Sequence, residues 1–151
     1  MAQTDFSSPS SGTLTQNGHM FPVRVYYEDT DFTGIVYHAR YLQFFERGRT
    51  EWLRLLGILH HVLADCKYGE ALACTIRTLS VDYKKPARID DALAVFTTCE
   101  EMGASRFVLR QVLQRDSEEI ATLRIEIVMI NMAGRPKRVP ADIADKLIAT
   151  T

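Results

Sequence analysis

Val25-Tyr26-Tyr27-Glu28-Asp29-Thr30-Asp31-Phe32-Thr33-Gly34-Ile35-Val36-Tyr37-His38-Ala39-Arg40-Tyr41-Leu42-Gln43-Phe44-Phe45-Glu46-Arg47-Gly48-Arg49-Thr50-Glu51-Trp52-Leu53 is the stretch that decides the fold. It opens as a β-branched and aromatic run, breaks at acidic turn formers and Gly34, and then changes period. Apolar residues recur at Tyr41, Leu42, Phe45, Trp52, Leu53 and Leu56, the spacing of a helix and not of a strand. Gly48 falls on the same stripe, where a missing side chain lets another backbone come close. The joint between the two elements carries Asp29, Asp31 and His38. The chemistry is expected there.

Upstream, Phe21, Val23, Val25 and Tyr27 alternate with Pro22, Arg24, Tyr26 and Glu28, which predicts a half-buried strand. Residues 1–18 are rich in Ser, Thr, Gln, Gly and Pro and are expected to form a disordered N-terminal tail, leaving 19–151 as one domain. Downstream, the pattern predicts a helix from about His38 to Leu56, ended by Gly57 at its C′ position. A short second helix is expected within Ile58–Tyr68. Strands follow at Ala71–Tyr83, Ala92–Met102, Arg106–Gln114 and Ile120–Met132, and Pro140 introduces a terminal helix at Ala141–Ala149. The order is that of an α+β fold: a curved antiparallel sheet wrapped around one long helix, its last four strands forming a meander.

Composition narrows the function. Of the 151 residues 46% are hydrophobic and 25% charged, with a net charge of −1, ordinary for a soluble globular protein. The basic residues are scattered, which argues against a nucleic-acid partner. No apolar run approaches the roughly 20 residues of a membrane span, and the N-terminus lacks the basic and apolar regions of a secretory signal. Cys66, Cys74 and Cys99 show neither metal-ligand nor CxxC spacing. They are expected to be reduced, small buried hydrophobes of a cytoplasmic protein.

A helix start presents unpaired N–H groups and the positive end of the helix dipole. Around Tyr37, His38 and Ala39 such donors would stabilise a carbonyl oxygen as it gains negative charge. Asp31 lies seven residues before His38 and is placed to act as nucleophile or as general base on water. An acid beside an oxyanion site suits thioester hydrolysis, because a thiolate leaves with little protonation. The bland readings are also open: Asp29, Thr30 and Asp31 as turn and cap residues, His38 as a structural hydrogen-bonder, and Asp29, Asp31 and His38 as metal ligands, for which no fourth ligand lies at motif spacing. Glu46, Arg47, Arg49 and Glu51 read as pairs along the helix surface, and His60-His61 as a solvated loop.

Three runs, Val23–Asp31, Gly34–Tyr41 and Phe45–Leu53, resemble the signature of the hotdog-fold acyl-CoA thioesterases of the 4-hydroxybenzoyl-CoA thioesterase-like family, and within it most resemble the members associated with the bacterial Tol–Pal system. Val81–Asp91 carries a weaker match. The resemblance implies hydrolysis of short-chain or aromatic acyl-CoA to free acid and CoA, with neither cofactor nor metal. It implies a homodimer or homotetramer with active sites at the subunit interface, and acyl carrier protein as a second kind of partner. By position Asp31 matches the catalytic carboxylate and the His38 N–H the oxyanion donor, with Tyr27 and the His38 side chain also associated with the site. Gly34 and Tyr37 lie in the matched runs as substrate-binding candidates, and Lys84, Lys85 and Arg88 are candidates for the CoA phosphates, with Arg135, Lys137 and Arg138 at another turn. Where family members often have a small residue and a second glycine, this chain has Phe32 and Thr33, and Phe32 is expected to reshape the acyl pocket. A hydratase or dehydratase on the same fold, or a non-catalytic acyl-CoA or acyl-carrier binding module, are the competing functions.

Overall fold

The computed structural model describes residues 7–149. Six strands form one antiparallel sheet: β1 (Thr13–Thr15), β2 (Gly18–Arg24), β3 (Leu72–Tyr83), β4 (Ala92–Met102), β5 (Arg106–Arg115) and β6 (Glu118–Asn131). The helices are α1 (Arg40–Leu55), α2 (His60–Ala64) and α3 (Ala141–Ala149). The sheet curves around α1, the hotdog arrangement expected from the order of elements.

The apolar stripe of α1 is the inner layer. Tyr41, Phe44, Phe45, Gly48, Trp52 and Leu53 are buried there against sheet residues that include Val95, Leu109, Leu123 and Ile125. Gly48 is needed for a side chain, not for a backbone as the stripe suggested: a Cβ at this position would stand 2.6 Å from Cγ1 of Val95. The helix ends as expected. Gly57 has φ +77° and donates to Arg54, and Ile58 reaches back to Leu53 at 2.8 Å, closing the last turn. His60 and His61 belong to α2 and not to a loop, and both are exposed.

Three expectations are corrected. The last four strands are not one meander. β4, β5 and β6 are consecutive neighbours, but β3 crosses to the far side of β6 and forms a sheet edge. The reason lies in the connection between β3 and β4, whose backbone is already in use: Ala87 O accepts from Val36, Asp91 O accepts from Val25, and Asp90 N donates to Val25. The strand predicted through Glu28 stops at Arg24, and Tyr27–Asp29 makes a turn of 3₁₀ helix, because Asp29 Oδ2 accepts from the Tyr26 N–H at 2.8 Å. Cys66 is exposed with a φ of 62°, while Cys99 is buried and Cys74 partly so; all three are free thiols.

Part of the stretch read as a tail is structured. β1 pairs with the start of β2, a Cβ on Gly18 would meet the Thr97 carbonyl oxygen at 1.9 Å, and buried His19 holds its Nε2 2.6 Å from Ser11 O. Residues 1–6 of that stretch lie outside the described residues. Among the described residues no helix is long and apolar enough to cross a membrane.

Candidate active site

The acidic joint folds as a tight hairpin. Thr30 bridges Val36, the Asp31 N–H donates to Ile35 O at 3.0 Å, and the Gly34 N–H returns to Asp31 O at 3.0 Å. Gly34 closes the turn at φ +84°, a left-handed conformation that its missing side chain makes inexpensive, with nothing within 4 Å of where a Cβ would stand. The hairpin docks on the segment after β3, where Ile35 bridges Arg88 and Val36 N–H donates to Ala87 O at 2.8 Å. Ala87 in turn donates its N–H to the hydroxyl of Tyr41, on α1, at 3.0 Å. The Asp31 loop is thereby fixed relative to the helix.

The Asp31 carboxylate is half engaged. Its Oδ1 accepts from the Thr33 N–H at 2.8 Å and from the Thr33 hydroxyl at 2.5 Å, a turn closed by its own side chain. Its Oδ2 has no hydrogen-bond partner among the described residues. The Thr33 hydroxyl, then the Thr33 N–H, hold the carboxyl below the usual carboxylate range, with a smaller contribution from the His38 ring, so Asp31 is ionised at neutral pH. The turn-former reading and the site reading of Asp31 are therefore compatible.

At the start of α1, Arg40 N–H donates to Tyr37 O at 2.8 Å. A planar trans peptide then points the His38 N–H the opposite way, off the end of the helix. No acceptor for it exists among the described residues, and Ala39 supplies no side-chain cap. The carbonyl of His38 accepts from Tyr83 Oη at 2.7 Å. Asp31, Tyr37, Ala39, Arg40 and Gln43 line one shallow groove, so the carboxylate and the helix start share a solvent-facing surface.

Not every expected residue joins that groove. The His38 ring lies against the Tyr37 ring, centroids 4.6 Å apart. Tyr27 is exposed in the 3₁₀ turn, and its backbone carbonyl serves Thr30. Asp29 is structural: buried, it takes the Tyr26 N–H and sits 3.2 Å from Arg40 Nε. Among the described residues no set of three or more His, Cys, Asp or Glu is placed to hold a metal. Lys84 and Lys85 are paired with Glu119 at 2.5 Å and Glu118 at 2.8 Å, whereas Arg88, beside the hairpin, donates its backbone N–H to Asp91 Oδ2 and its guanidinium acts on Asp91 through charge without a side-chain hydrogen bond among the described residues. Phe32 projects fully into solvent. Sequence reasoning missed Tyr83 and the role of Thr33. Tyr83 lay inside the weaker matched stretch, and Thr33 was visible only as a departure from the family pattern.

Comparison with known proteins gives the family and the fold. The profile of the Thioesterase-like superfamily matches residues 25–147. The acyl-CoA thioesterase YbgC of Haemophilus influenzae is 38% identical over 131 residues, 86% of this chain and 94% of that protein. The crystal structure of a probable thioesterase from Bartonella henselae superposes with a TM-score of 0.80 at 41% identity, covering 82% of this chain and 99% of that one. A 1,4-dihydroxy-2-naphthoyl-CoA thioesterase from Synechocystis shares the fold at 21% identity, with a TM-score of 0.76 over 85% of this chain and 93% of its own.

Proposed function

The chain belongs to the Thioesterase-like superfamily, and from that premise we propose that it hydrolyses acyl-CoA to free acid and CoA, with Asp31 as the catalytic carboxylate. The observation that carries the reading is the ionised Asp31, its Oδ2 unoccupied, on the same groove as the N-terminal turn of α1. The thioester carbonyl lies against that turn, where the His38 N–H receives the developing oxyanion. By the general-base route Asp31 takes a proton from water, the hydroxide adds to the carbonyl carbon, and the C–S bond breaks with CoA leaving as thiolate. By the nucleophilic route Asp31 adds directly, forms an acyl anhydride with loss of the thiolate, and water then hydrolyses it. Labelled water in a single turnover tests the nucleophilic route, since label enters Asp31 only when an anhydride forms and water adds to its Asp31 carbon, and trapping the anhydride tests the case in which water adds to the acyl carbon.

Arg88 is the cation best placed for a CoA phosphate, because Lys84 and Lys85 are already neutralised by Glu118 and Glu119. β3 has a free edge opposite β6, and Ile76 and Leu79 are exposed on it. An unpaired edge of this length is a pairing surface, and a second copy joined there completes a groove that is shallow in one protomer. Acyl carrier protein as an alternative carrier, a cytoplasmic setting and a tie to the Tol–Pal system follow from the resemblance of the signature runs and belong to the same proposal. A hydratase needs a His paired with an acid; no hydrogen bond joins His38 to Asp31 or Glu28, which favours hydrolysis. The test is release of free thiol and free acid from a series of acyl-CoA substrates. Absence of release across short, medium, long and aromatic acyl groups overturns the reading.

A further inference from the structure

Asp31 and the His38 N–H stand on two different segments, so their separation depends on what ties those segments together. The His38 N–H moves with α1, because Arg40 N–H donates to Tyr37 O within the same turn. Asp31 lies on the outgoing strand of its hairpin, whereas the docking on Ala87 and Arg88 is made by Ile35 and Val36 on the return strand. Among the described residues, every hydrogen bond and ion pair between α1 and the segment Glu28–Asp31 comes from one side chain, Arg40.

The Arg40 guanidinium is held on three sides. Nε stands 3.2 Å from the buried Oδ1 of Asp29, Nη2 donates to Glu28 O at 2.9 Å, and Nη1 donates to Oε1 of Gln43 on the same helix. Arg40, Gln43, Glu28 and Asp31 all line the one groove. The strand that carries the carboxylate is thus gripped from the first position of α1.

The helix itself gains nothing from an arginine there. A cation in the first turn opposes the helix dipole, and that turn holds no acidic residue to offset it. What Arg40 contributes lies off the helix. Asp29 is buried and needs a positive partner, yet a lysine would meet that need. A planar fork that reaches a carboxylate, a carbonyl and an amide oxygen at once is particular to arginine. We propose that Arg40 is a positioning residue of the thioesterase site, fixing the distance between the Asp31 carboxylate and the His38 N–H across which the thioester carbon fits. It acts through these two groups and not on the substrate. Misplacing a reacting group by about 1 Å costs up to about 100-fold in rate, so a loosened clamp costs about 10-fold.

This role rests on the thioesterase reading, and a double-mutant cycle keeps the two apart. Thiol release from octanoyl-CoA is measured for the full chain, Arg40→Lys, Asp31→Asn and the double variant, at matched folding by circular dichroism. Lysine keeps the charge beside Asp29 and loses the fork. Arg40→Lys lowers kcat about 10-fold with KM within about twofold. In the Asp31→Asn background the same change lowers kcat by less than about twofold, because no carboxylate remains to be aligned. An unchanged kcat in Arg40→Lys overturns the proposal. So does an equal loss in both backgrounds, which is what a purely structural residue gives. If Arg40→Lys fails to fold, Gln43→Ala removes one anchor at an exposed position. A kcat lowered about threefold, again only with Asp31 present, then upholds the clamp, and an unchanged kcat overturns it. No release by the unmodified protein overturns the thioesterase reading and the role of Arg40 with it, whereas release that the variants leave unaffected overturns Arg40 alone.

Discussion

The hydroxyl of Tyr83 donates to the carbonyl of His38 across 2.7 Å, joining the end of β3 to the turn that starts α1. The Tyr83 ring also packs edge-on against Tyr41, centroids 5.2 Å apart, and Tyr41 holds the segment on which the Asp31 hairpin docks. One aromatic pair thus sets the helix start and the carboxylate loop in register. Tyr83→Phe keeps the ring packing and removes the bond. A net hydrogen bond is worth about 1 kcal/mol, so kcat falls about 5- to 10-fold with KM within about twofold. Steady-state kinetics check this, and an unchanged kcat removes Tyr83 from the mechanism.

Thr33 tunes the carboxylate. Its hydroxyl and N–H favour the charged form of Asp31 and lower its pKa. Thr33→Ala deletes the stronger of the two donors, so the Asp31 pKa rises. The acid limb of the kcat/KM profile, which reports the free enzyme, accordingly moves to higher pH, and Thr33→Ser restores it. A limb that stays in place or moves down contradicts this role.

Gly48 tests the packing of the core. In an exposed helix Gly→Ala stabilises by about 1 kcal/mol, yet here the added methyl stands 2.6 Å from Val95 Cγ1. Overpacking costs about 1–3 kcal/mol, so Gly48→Ala lowers the Tm by several degrees, and adding Val95→Ala recovers part of the loss. Thermal unfolding of the three proteins decides it.

The strand periods, the α1 stripe and its Gly57 stop were legible because each is a local pattern of side chains. Ala92–Met102 and Ala141–Ala149 coincide with the observed elements. The position of β3 was not legible. Whether a strand pairs with the next in sequence depends on where the backbone of the connection finds its partners, and Val25, Ile35 and Val36 claim the connection after β3 across a long sequence separation. The same limit hid Tyr83, whose partner is 45 residues away. Asp31 and His38 stood out because they flank a helix start, and only the folded chain shows that Asp29 is used for structure and that the His38 ring turns to Tyr37.

Arg88 separates carrier from acyl recognition. If it meets a CoA phosphate, Arg88→Ala raises KM for acyl-CoA by about 3- to 10-fold, the scale of one charge-assisted contact of about 1 kcal/mol. It leaves KM for the corresponding pantetheine thioester, which lacks the nucleotide phosphates, unchanged. Equal effects on both substrates contradict the assignment.

The proposed mechanism turns on the free oxygen of Asp31, and Asp31→Asn tests it with little change of shape, since the amide oxygen still closes the turn with Thr33. Thiol release from octanoyl-CoA by the unmodified protein and by Asp31→Asn, at matched folding by circular dichroism, is the direct measurement. The substitution is predicted to lower kcat by about 100-fold or more, the scale of a lost general base. Turnover within a fewfold of the unmodified protein would contradict the account.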